Sequence, residues 1–233
     1  MSLLSDDDLY LFNEGTHYKL YEKLGAHPVE FNGIKGTYFA VWAPDARDVY
    51  VIGDFNGWER ASHRLQQRGR SGIWEGFING IKTGSLYKYY IVSRYHNYAV
   101  EKTDPFAFFS ETPPKTASVV WDMDYTWQDD TWMKERHKHN ALNSPISIYE
   151  VHLGSWWRVP EEGNHYLTYR ELAPRLADYA NQMGFTHVEF LPVMEHPFYG
   201  SWGYQTTGYF TPTSRYGTPQ DFMYLIDYLH QHN

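Results

Sequence analysis

Residues 37–58 read TYFAVWAPDARDVYVIGDFNGW, in which two runs of β-branched and aromatic residues flank a proline-containing turn. Runs of this kind predict strands, here Thr37–Trp42 and Asp48–Ile52. Similar runs predict further strands at Ile73–Ile78 and Leu86–Val92. The surrounding sequence shows no helical period, and it contains three Asn-Gly pairs, which favour tight turns. The spacing of these runs predicts a β-sandwich within residues 21–120.

The sequence changes to an α/β pattern after Pro145. Ile146–Leu153 is a nearly continuous apolar run, which predicts a strand buried on both faces. A helix is predicted over 169–183, because Thr168 and Glu171 form a capping-box sequence and Gly184 follows the last apolar position. A second strand is predicted at His187–Leu191. A second helix is predicted after Thr218, which is followed by a proline.

The segments on either side of the predicted sandwich are polar. Residues 1–20 predict a mobile tail or a short capping segment. Residues 121–144 predict a linker on the surface. His137 and His139 lie two residues apart in this linker and could bind a metal, but a solvated charged loop is the simpler interpretation. No metal site is predicted.

Composition excludes several classes of protein. The 28 acidic and 20 basic residues give a formal net charge of −8, and a nucleic-acid-binding protein would normally carry a basic field. There is no cysteine, which excludes disulfides and thiolate chemistry and suits a reducing compartment. No stretch approaches the roughly 20 apolar residues that span a bilayer. We therefore expect a cytoplasmic protein without a nucleic-acid or membrane partner, and no cofactor is predicted.

The segment Pro192–Gly217 follows the carboxyl end of a predicted strand, where parallel α/β folds bind their ligands. Its 26 residues carry few charges. Aromatic residues are frequent in it, at Phe198, Tyr199, Trp202, Tyr204, Tyr209, Phe210 and Tyr216. An aromatic and nearly uncharged loop predicts a site for a neutral polyhydroxy ligand. The alternative is a packed structural loop.

Three smaller patterns leave alternatives open. Glu150 and His152 share one face of a strand, and Glu195 is followed directly by His196. Each pair could bind a metal, or it could simply make hydrogen bonds. Trp58 follows a glycine-containing turn and is either a core side chain or a platform for a sugar ring.

Several motifs resemble those of the 1,4-α-glucan (glycogen) branching enzymes. They are YEVHLGSW at 149–156, GFTHVEFLPV at 184–193, EHPF at 195–198, SWGYQTTGYF at 201–210 and SRYGTP at 214–219. The stretch GDFNGW at 53–58 resembles the carbohydrate-binding module of the same enzymes, which also occurs in isoamylases and in glycogen-sensing kinase subunits. The resemblance covers about 21–233. Gln205 is more typical of branching enzymes than of their α-amylase-superfamily relatives, which usually have aspartate there.

The resemblance implies an immunoglobulin-like sandwich followed, over residues 145–233, by the first βα units of an incomplete (β/α)₈ TIM barrel. It also implies a transferase of glycogen biosynthesis, whose partner is an α-glucan such as glycogen, amylose or amylopectin. Such enzymes cleave an α-1,4 bond and transfer the chain to a 6-hydroxyl by a retaining covalent mechanism. For the substrate site, the resemblance implies Tyr204, Gln205 and Trp202. For the carbohydrate-binding module, it implies Trp58 and Lys88.

The catalytic carboxylates of these enzymes lie on later barrel strands and have no matching positions in this sequence. No catalytic residue is therefore assigned, and Glu150, Glu189 and Glu195 are not given that role. We expect an N-terminal fragment of a branching enzyme. The alternatives are a stand-alone glucan-binding protein, or a fragment of a related debranching or trehalose-releasing hydrolase.

We predict that the 233-residue chain alone neither branches nor hydrolyses amylose, because it lacks positions for the nucleophile and the acid/base. The measurement is the iodine colour of amylose after incubation with the purified chain. A loss of colour beyond that of a protein-free blank would contradict the prediction.

Overall fold

The computed structural model describes residues 2–96, 98–139 and 141–232. Its contacts divide the chain into two compact units, and each is described by itself. The first consists of Met1–Asp122 with Gly208–Thr211, and the second of Met123–Thr207 with Pro212–Asn233. The domain limits predicted at residues 20, 120 and 144 stay predictions.

The first unit is built mainly of antiparallel β-sheet. One sheet has the order β1-β2-β5-β4, and the other has the order β3-β6-β9-β8 with β7 paired to β6. The strands are β1 (Gly25–Phe31), β2 (Ile34–Trp42), β3 (Ala46–Gly53), β4 (Gln66–Gln67), β5 (Ile73–Asn79), β6 (Leu86–Ser93), β7 (Ala99–Lys102), β8 (Phe109–Ser110) and β9 (Ser118–Val119). The four strands predicted in this part of the sequence are all confirmed, and no end differs by more than three residues.

The two sheets share one hydrophobic core. Phe39 and Trp74 from the first sheet pack in the same buried cluster as Val51, Tyr87 and Tyr89 from the second. The turn Asn32-Gly33 joins β1 to β2, and both residues have positive φ, as the pair predicts. The sequence did not predict β1, which contains a proline, because such a strand is tolerated only at the edge of a sheet.

The N-terminal segment is a packed element, so the mobile-tail alternative is wrong. Helix α1 (Asp6–Glu14) begins with a capping box made by Ser5 and Asp8. Leu4 is 3% exposed and lies in a cluster with Tyr38 and other residues of the first sheet. A short 3₁₀ turn, Leu20–Glu22, precedes β1. This helix was not predicted, although the three aspartates of its first turn are residues that a helix N-terminus favours.

The second unit contains two parallel strands followed by helices. Strand β10 (Ile148–Val151) pairs with β13 (His187–Phe190) in parallel register. The other elements of this unit are α2 (Asp130–His139), α3 (Leu153–Trp156), β11 (Arg158–Val159), β12 (His165–Tyr166), α4 (Tyr169–Met183), β14 (Met194–Glu195) and α5 (Pro219–Gln231), with 3₁₀ turns at Pro160–Glu162, Tyr199–Ser201 and Ser214–Tyr216. Strand β15 (Gly208–Pro212) belongs to the first unit except for its last residue. The capping boxes predicted at Thr168 and Thr218 are both confirmed. Two parallel strands do not show a barrel, which stays a prediction.

The strand predicted to be buried on both faces has one open face. Ile146 is 65% exposed and Ile148 is 50% exposed. Tyr149 and Val151, on the opposite face of the strand, pack in the second hydrophobic core with α4 and α5. An apolar run was a poor guide here because helices cover only one face of the two-stranded sheet.

Helix α2 occupies much of the predicted linker, so the description of that segment as a loop is wrong. His137 is exposed on this helix, and the side chain of His139 lies outside the described residues. The segment before α2 is tied to α5: the Tyr125 hydroxyl donates to Asp227 Oδ2 at 2.8 Å, and Asp129 accepts from His230 Nδ1 at 2.7 Å. These partners lie about 100 residues apart, and local sequence patterns do not show them.

No helix in the described ranges is both long enough and apolar enough to cross a membrane.

A buried carboxyl group follows β7 in the chain and faces the buried tyrosines of β6. Asp104 is 1% exposed, and its Oδ2 accepts hydrogen bonds from the hydroxyls of Tyr87 at 2.7 Å and Tyr89 at 3.1 Å. Its Oδ1 accepts the backbone N–H of Phe106 at 2.8 Å. Burial raises the pKa of Asp104 to about 6, although these three hydrogen bonds oppose the rise.

We predict that the first unit loses stability as the pH rises from about 4 to about 6. Because the pKa of Asp104 is higher in the folded chain than in the unfolded chain, the folded state binds the proton more tightly in that window. A shift of this size corresponds to about 3 kcal/mol at 1.36 kcal/mol per unit. Asp104→Asn should remove this slope. The measurement is hydrogen exchange of β6 amides at several pH values, corrected for intrinsic exchange rates.

Asp45→Asn is the matched control, because Asp45 is exposed in the same unit. If the stability of Asp104→Asn still falls between about pH 4 and about pH 6 as much as that of the wild type and of Asp45→Asn, Asp104 does not cause the pH dependence.

Candidate functional site

Trp58 lies on an exposed turn that follows β3. The 3₁₀ turn Asp54–Asn56 and positive φ at Gly57 and Trp58 bring the Trp58 N–H to the carbonyl of Gly53, at 2.8 Å. The side-chain Oδ1 of Asn56 accepts the Gly53 N–H at 2.9 Å and holds the turn. The Trp58 side chain is 38% exposed and so is not a core side chain. The turn therefore presents a large ring to solvent.

Lys88 lies on the outward face of β6. Its neighbours Tyr87 and Tyr89 are fully buried, which confirms the predicted alternation along this strand. Lys88 stands opposite Ile52 on β3. Ile52 directly precedes Gly53, the residue at which the Trp58 turn begins. The Lys88 ammonium group donates to Thr116 Oγ1 at 2.8 Å. Lys88 and the Trp58 turn thus lie at the same end of the β3–β6 ladder.

Tyr204 and Gln205 are exposed in the second unit, after the carboxyl end of β13. Tyr204 is 67% exposed, and its N–H donates to Ser201 O at 3.0 Å. The preceding residue, Gly203, has φ +89°, and a Cβ atom there would lie 2.0 Å from Pro192 O. Only glycine allows this close approach. The contact holds the backbone at Tyr204 close to Pro192, which follows the end of β13.

Trp202 packs against an imidazole ring. Its ring is stacked on His152 with centroids 5.8 Å apart, and its backbone has φ +54°. A positive φ at a bulky residue is uncommon and requires support from its surroundings. His152 Nδ1 is hydrogen-bonded to Ser155 Oγ at 2.8 Å. Burial and the neighbouring His196 lower the pKa of His152. The wall beside Trp202 is therefore uncharged at neutral pH.

Glu195 is a buried ion-pair partner. Its carboxylate accepts from Arg215 Nη1 at 2.9 Å, from Thr213 Oγ1 at 3.1 Å, and from the N–H and Oγ of Ser214 at 2.8 and 2.7 Å. The Glu195 and Arg215 side chains are only 6% and 8% exposed. The hydrogen-bonding alternative for Glu195 is thus the one that the structure shows. No cluster of metal-binding side chains occurs in the described residues.

The seven aromatic residues of the segment 192–217 are divided between the two units. Tyr209 and Phe210 belong to the first unit, where Phe210 stacks on Phe106 with centroids 4.9 Å apart. Tyr216 is 3% exposed and lies in the core of the second unit. The segment also contains short regular elements. It is therefore partly a structural loop. Within the second unit its exposed aromatic side chains are those of Phe198, Trp202 and Tyr204.

A cavity of about 210 Å³ lies between α4, β13 and α5. Its walls are mainly apolar, and Trp132 of α2 contributes to them. None of the predicted site residues lines it, so it supports none of the site assignments.

Part of the first unit is similar to a family of carbohydrate-binding modules. Residues 23–107 match the family of carbohydrate-binding module 48, the isoamylase N-terminal domain. The matched segment lies wholly within the first unit.

The chain is similar over nearly its whole length to 1,4-alpha-glucan branching enzymes, which confirms the resemblance seen in the motifs. It is 64% identical over 231 residues to the enzyme of Aquifex aeolicus, covering 99% of this chain and 36% of that protein. It is 59% identical over 228 residues to the enzyme of Albidiferax ferrireducens, covering 97% of this chain and 36% of that protein. The chain thus spans about a third of the length of these curated relatives.

A solved structure shares the fold at lower identity. A putative alpha amylase from Salmonella typhimurium matches with a TM-score of 0.67 and 26% identity, covering 90% of this chain and 31% of that one.

Sequence patterns did not predict the Glu195–Arg215 pair or the contact between Trp202 and His152. An acidic residue next to a histidine gives no sign of an arginine 20 residues later. The stacking of Trp202 depends on its left-handed backbone, which residue types do not reveal.

We predict that Arg215→Met destabilises the second unit by about 3–5 kcal/mol, because it leaves a buried carboxylate without its charge partner. The double variant Glu195→Gln, Arg215→Met should recover part of this loss. The measurement is the free energy of unfolding from hydrogen exchange of α4 amides. The control is Arg170→Met, which breaks the more exposed Arg170–Asp221 pair and should cost at most about 1 kcal/mol. If Arg215→Met and Arg170→Met lower the free energy of unfolding equally, the buried pair contributes no more to stability than the exposed pair.

Proposed function

We propose that this chain serves α-glucan branching, as the glucan-binding module and part of the substrate groove of a 1,4-α-glucan branching enzyme. The observation that carries this proposal is the 64% identity to the Aquifex aeolicus enzyme over 231 residues. The match of residues 23–107 to a carbohydrate-binding family supports it independently. The partner would be an α-glucan such as glycogen, amylose or amylopectin.

The same likeness supports a finer description of the fold. The two antiparallel sheets with one core are compatible with an immunoglobulin-like sandwich. The parallel pair β10 and β13, each followed by helix, is compatible with the first βα units of a (β/α)₈ barrel. A cytoplasmic location is also proposed, and the lack of cysteine suits the reducing conditions there.

In the proposed reaction, a carboxylate attacks the anomeric carbon of a glucan while an acid protonates the leaving glycosidic oxygen. The 6-hydroxyl of an acceptor chain then attacks the glycosyl-enzyme, and its proton passes to the same acid/base group. One α-1,4 bond is broken and one α-1,6 bond is formed. This chain would supply neither carboxylate. Glu195, for example, is engaged with Arg215 and three other hydrogen-bond donors of residues 213 and 214.

The residues of this chain would bind and orient the glucan. Tyr204 would stack beneath the sugar ring whose bond is cleaved, since its exposed ring lies after the end of β13. Gln205 can donate and accept hydrogen bonds, which suits neutral hydroxyl groups. Trp202, supported by His152, would form a wall of the same groove. In the first unit, Trp58 and Lys88 would bind a glucan chain away from the reaction.

A hydrolase is the second candidate, because a putative alpha amylase shares the fold. Its identity to this chain is 26%, against 64% for the branching enzyme, which favours branching. The products distinguish the two reactions. Hydrolysis increases the number of reducing ends, whereas branching transfers each released chain and leaves that number unchanged.

The test uses a chimera of the Aquifex aeolicus enzyme in which this chain replaces the matching N-terminal segment. The chimera should lower the iodine colour of amylose and form α-1,6 bonds that are visible by NMR, with a constant number of reducing ends. A folded chimera that only adds reducing ends would favour the hydrolase.

We predict that Tyr204→Ala in this chimera lowers kcat/KM by about 30- to 150-fold without unfolding the protein. Stacking worth about 2–3 kcal/mol in the transition state corresponds to that factor at about 1.4 kcal/mol per decade. Tyr204→Phe should lose much less if the ring dominates. Tyr209→Ala is a matched control, because Tyr209 is similarly exposed and belongs to the first unit. If Tyr204→Ala keeps the kcat/KM of the unsubstituted chimera, Tyr204 does not contact the substrate and the assignment is wrong.

A further inference from the structure

A row of side chains crosses the outward face of strands β3, β6 and β7. Tyr50 stands opposite Tyr90 in the β3–β6 register, and Tyr90 stands opposite Glu101 in the β6–β7 register. On its other side, Tyr50 forms a bridge with Arg64. Directly opposed residues of antiparallel strands point to the same face. Because Tyr89 is fully buried, the row that contains Tyr90 faces away from the core.

Two tyrosine rings form the centre of this row. The rings of Tyr50 and Tyr90 lie 6.3 Å apart at an angle of 41°. Both side chains are partly exposed. Neither hydroxyl makes a hydrogen bond to another residue in the part of the chain that is described, so both remain available to a ligand. Such rings combine an apolar surface with a polar tip, which suits a sugar.

The charges in the row are paired. Arg60 lies over the ring of Tyr90, with its Cζ 5.3 Å from the ring centroid. Its Nε and Nη2 donate to Glu101 Oε1 at 3.1 and 2.7 Å. Arg64 Nη2 pairs with Asp48 at 2.6 Å. Arg60 and Arg64 therefore each have a carboxylate partner, although Asp48 also pairs with Arg47 Nε at 3.0 Å. The arginines of the row are thus paired rather than free to bind a phosphate. The surface offers planar donors and acceptors to a neutral polyhydroxy ligand.

This row continues from the candidate site at Trp58. Lys88 lies two residues before Tyr90 on the same face of β6, a distance of about 7 Å along the strand. Arg60 follows Trp58 by two residues and reaches Tyr90. We therefore propose that the glucan-binding surface of the first unit extends from Trp58 and Lys88 across Arg60 to Tyr90 and Tyr50. This inference rests on the proposed function of that unit.

The extension binds the more distant sugar units of a glucan, so it matters only for chains long enough to reach it. The test compares the affinity of the full chain for maltotriose and for maltoheptaose by isothermal titration calorimetry. In the double variant Tyr50→Thr, Tyr90→Thr, maltoheptaose should bind about 10-fold more weakly, which corresponds to about 1.4 kcal/mol. Maltotriose should bind with unchanged affinity. Threonine is chosen because it keeps a high strand preference.

Tyr18→Ala is the matched control, because Tyr18 is 87% exposed in the same unit and lies outside the row. It should leave both affinities unchanged. If the double variant unfolds at a lower temperature than the wild type, Arg60→Gln replaces it, since Arg60 is exposed and lies outside the core. That variant should weaken maltoheptaose binding about 3-fold.

Trp58→Ala separates this inference from the function on which it rests. If Trp58→Ala abolishes binding but the tyrosine and arginine variants bind maltoheptaose as the wild type does, the extension is wrong and the module function stands. An equal loss for maltotriose and maltoheptaose in the tyrosine variant would also overturn the extension. If the wild-type chain binds neither sugar, the proposed function of the module fails as well.

Discussion

The hydrogen bonds that Tyr87 and Tyr89 donate to Asp104 determine the orientation of β6, and the surface of the first unit depends on it. Strand β6 pairs with β3, β7 and β9 and is therefore the central strand of its sheet. Because side chains alternate along a strand, two inward tyrosines place Lys88 and Tyr90 outward. A shift of one residue would bury a lysine and expose the two tyrosines, at a large cost in free energy. The core thus fixes which side chains are available to a ligand.

The second unit fixes its exposed residues by a different means. Glu195 begins the segment that carries Trp202 and Tyr204, and its partners at 213–215 end it. A buried carboxylate is tolerated only when nearby donors satisfy it, so the two ends of the segment have little freedom to separate. Between them, Gly203 lies against Pro192 more closely than any side chain would allow. The backbone that carries the exposed rings of Trp202 and Tyr204 is therefore held in place by polar contacts.

Sequence patterns predicted those features that depend on neighbouring residues. The capping boxes at Thr168 and Thr218 and the alternation along β6 involve residues only a few positions apart, and all were confirmed. Helix α2 and the open face of β10 were missed, because the first is supported by α5 and the second depends on which elements cover the sheet. For the candidate sites, the sequence supplied Trp58, Lys88 and Tyr204 through resemblance. The row at Tyr50 and Tyr90 could not be seen, because it exists only in the cross-strand register.

The contacts between Tyr125 and Asp227 have a consequence for synthesis on the ribosome. The two residues are 102 positions apart, and Thr211 similarly donates to Ala107 of the first unit from 104 positions away. At about 5–20 residues per second, such partners are made roughly 5–20 seconds apart. The first unit is completed by Gly208–Thr211, which are translated after most of the second unit. The nascent chain therefore cannot complete the first unit before most of the second unit has been synthesised.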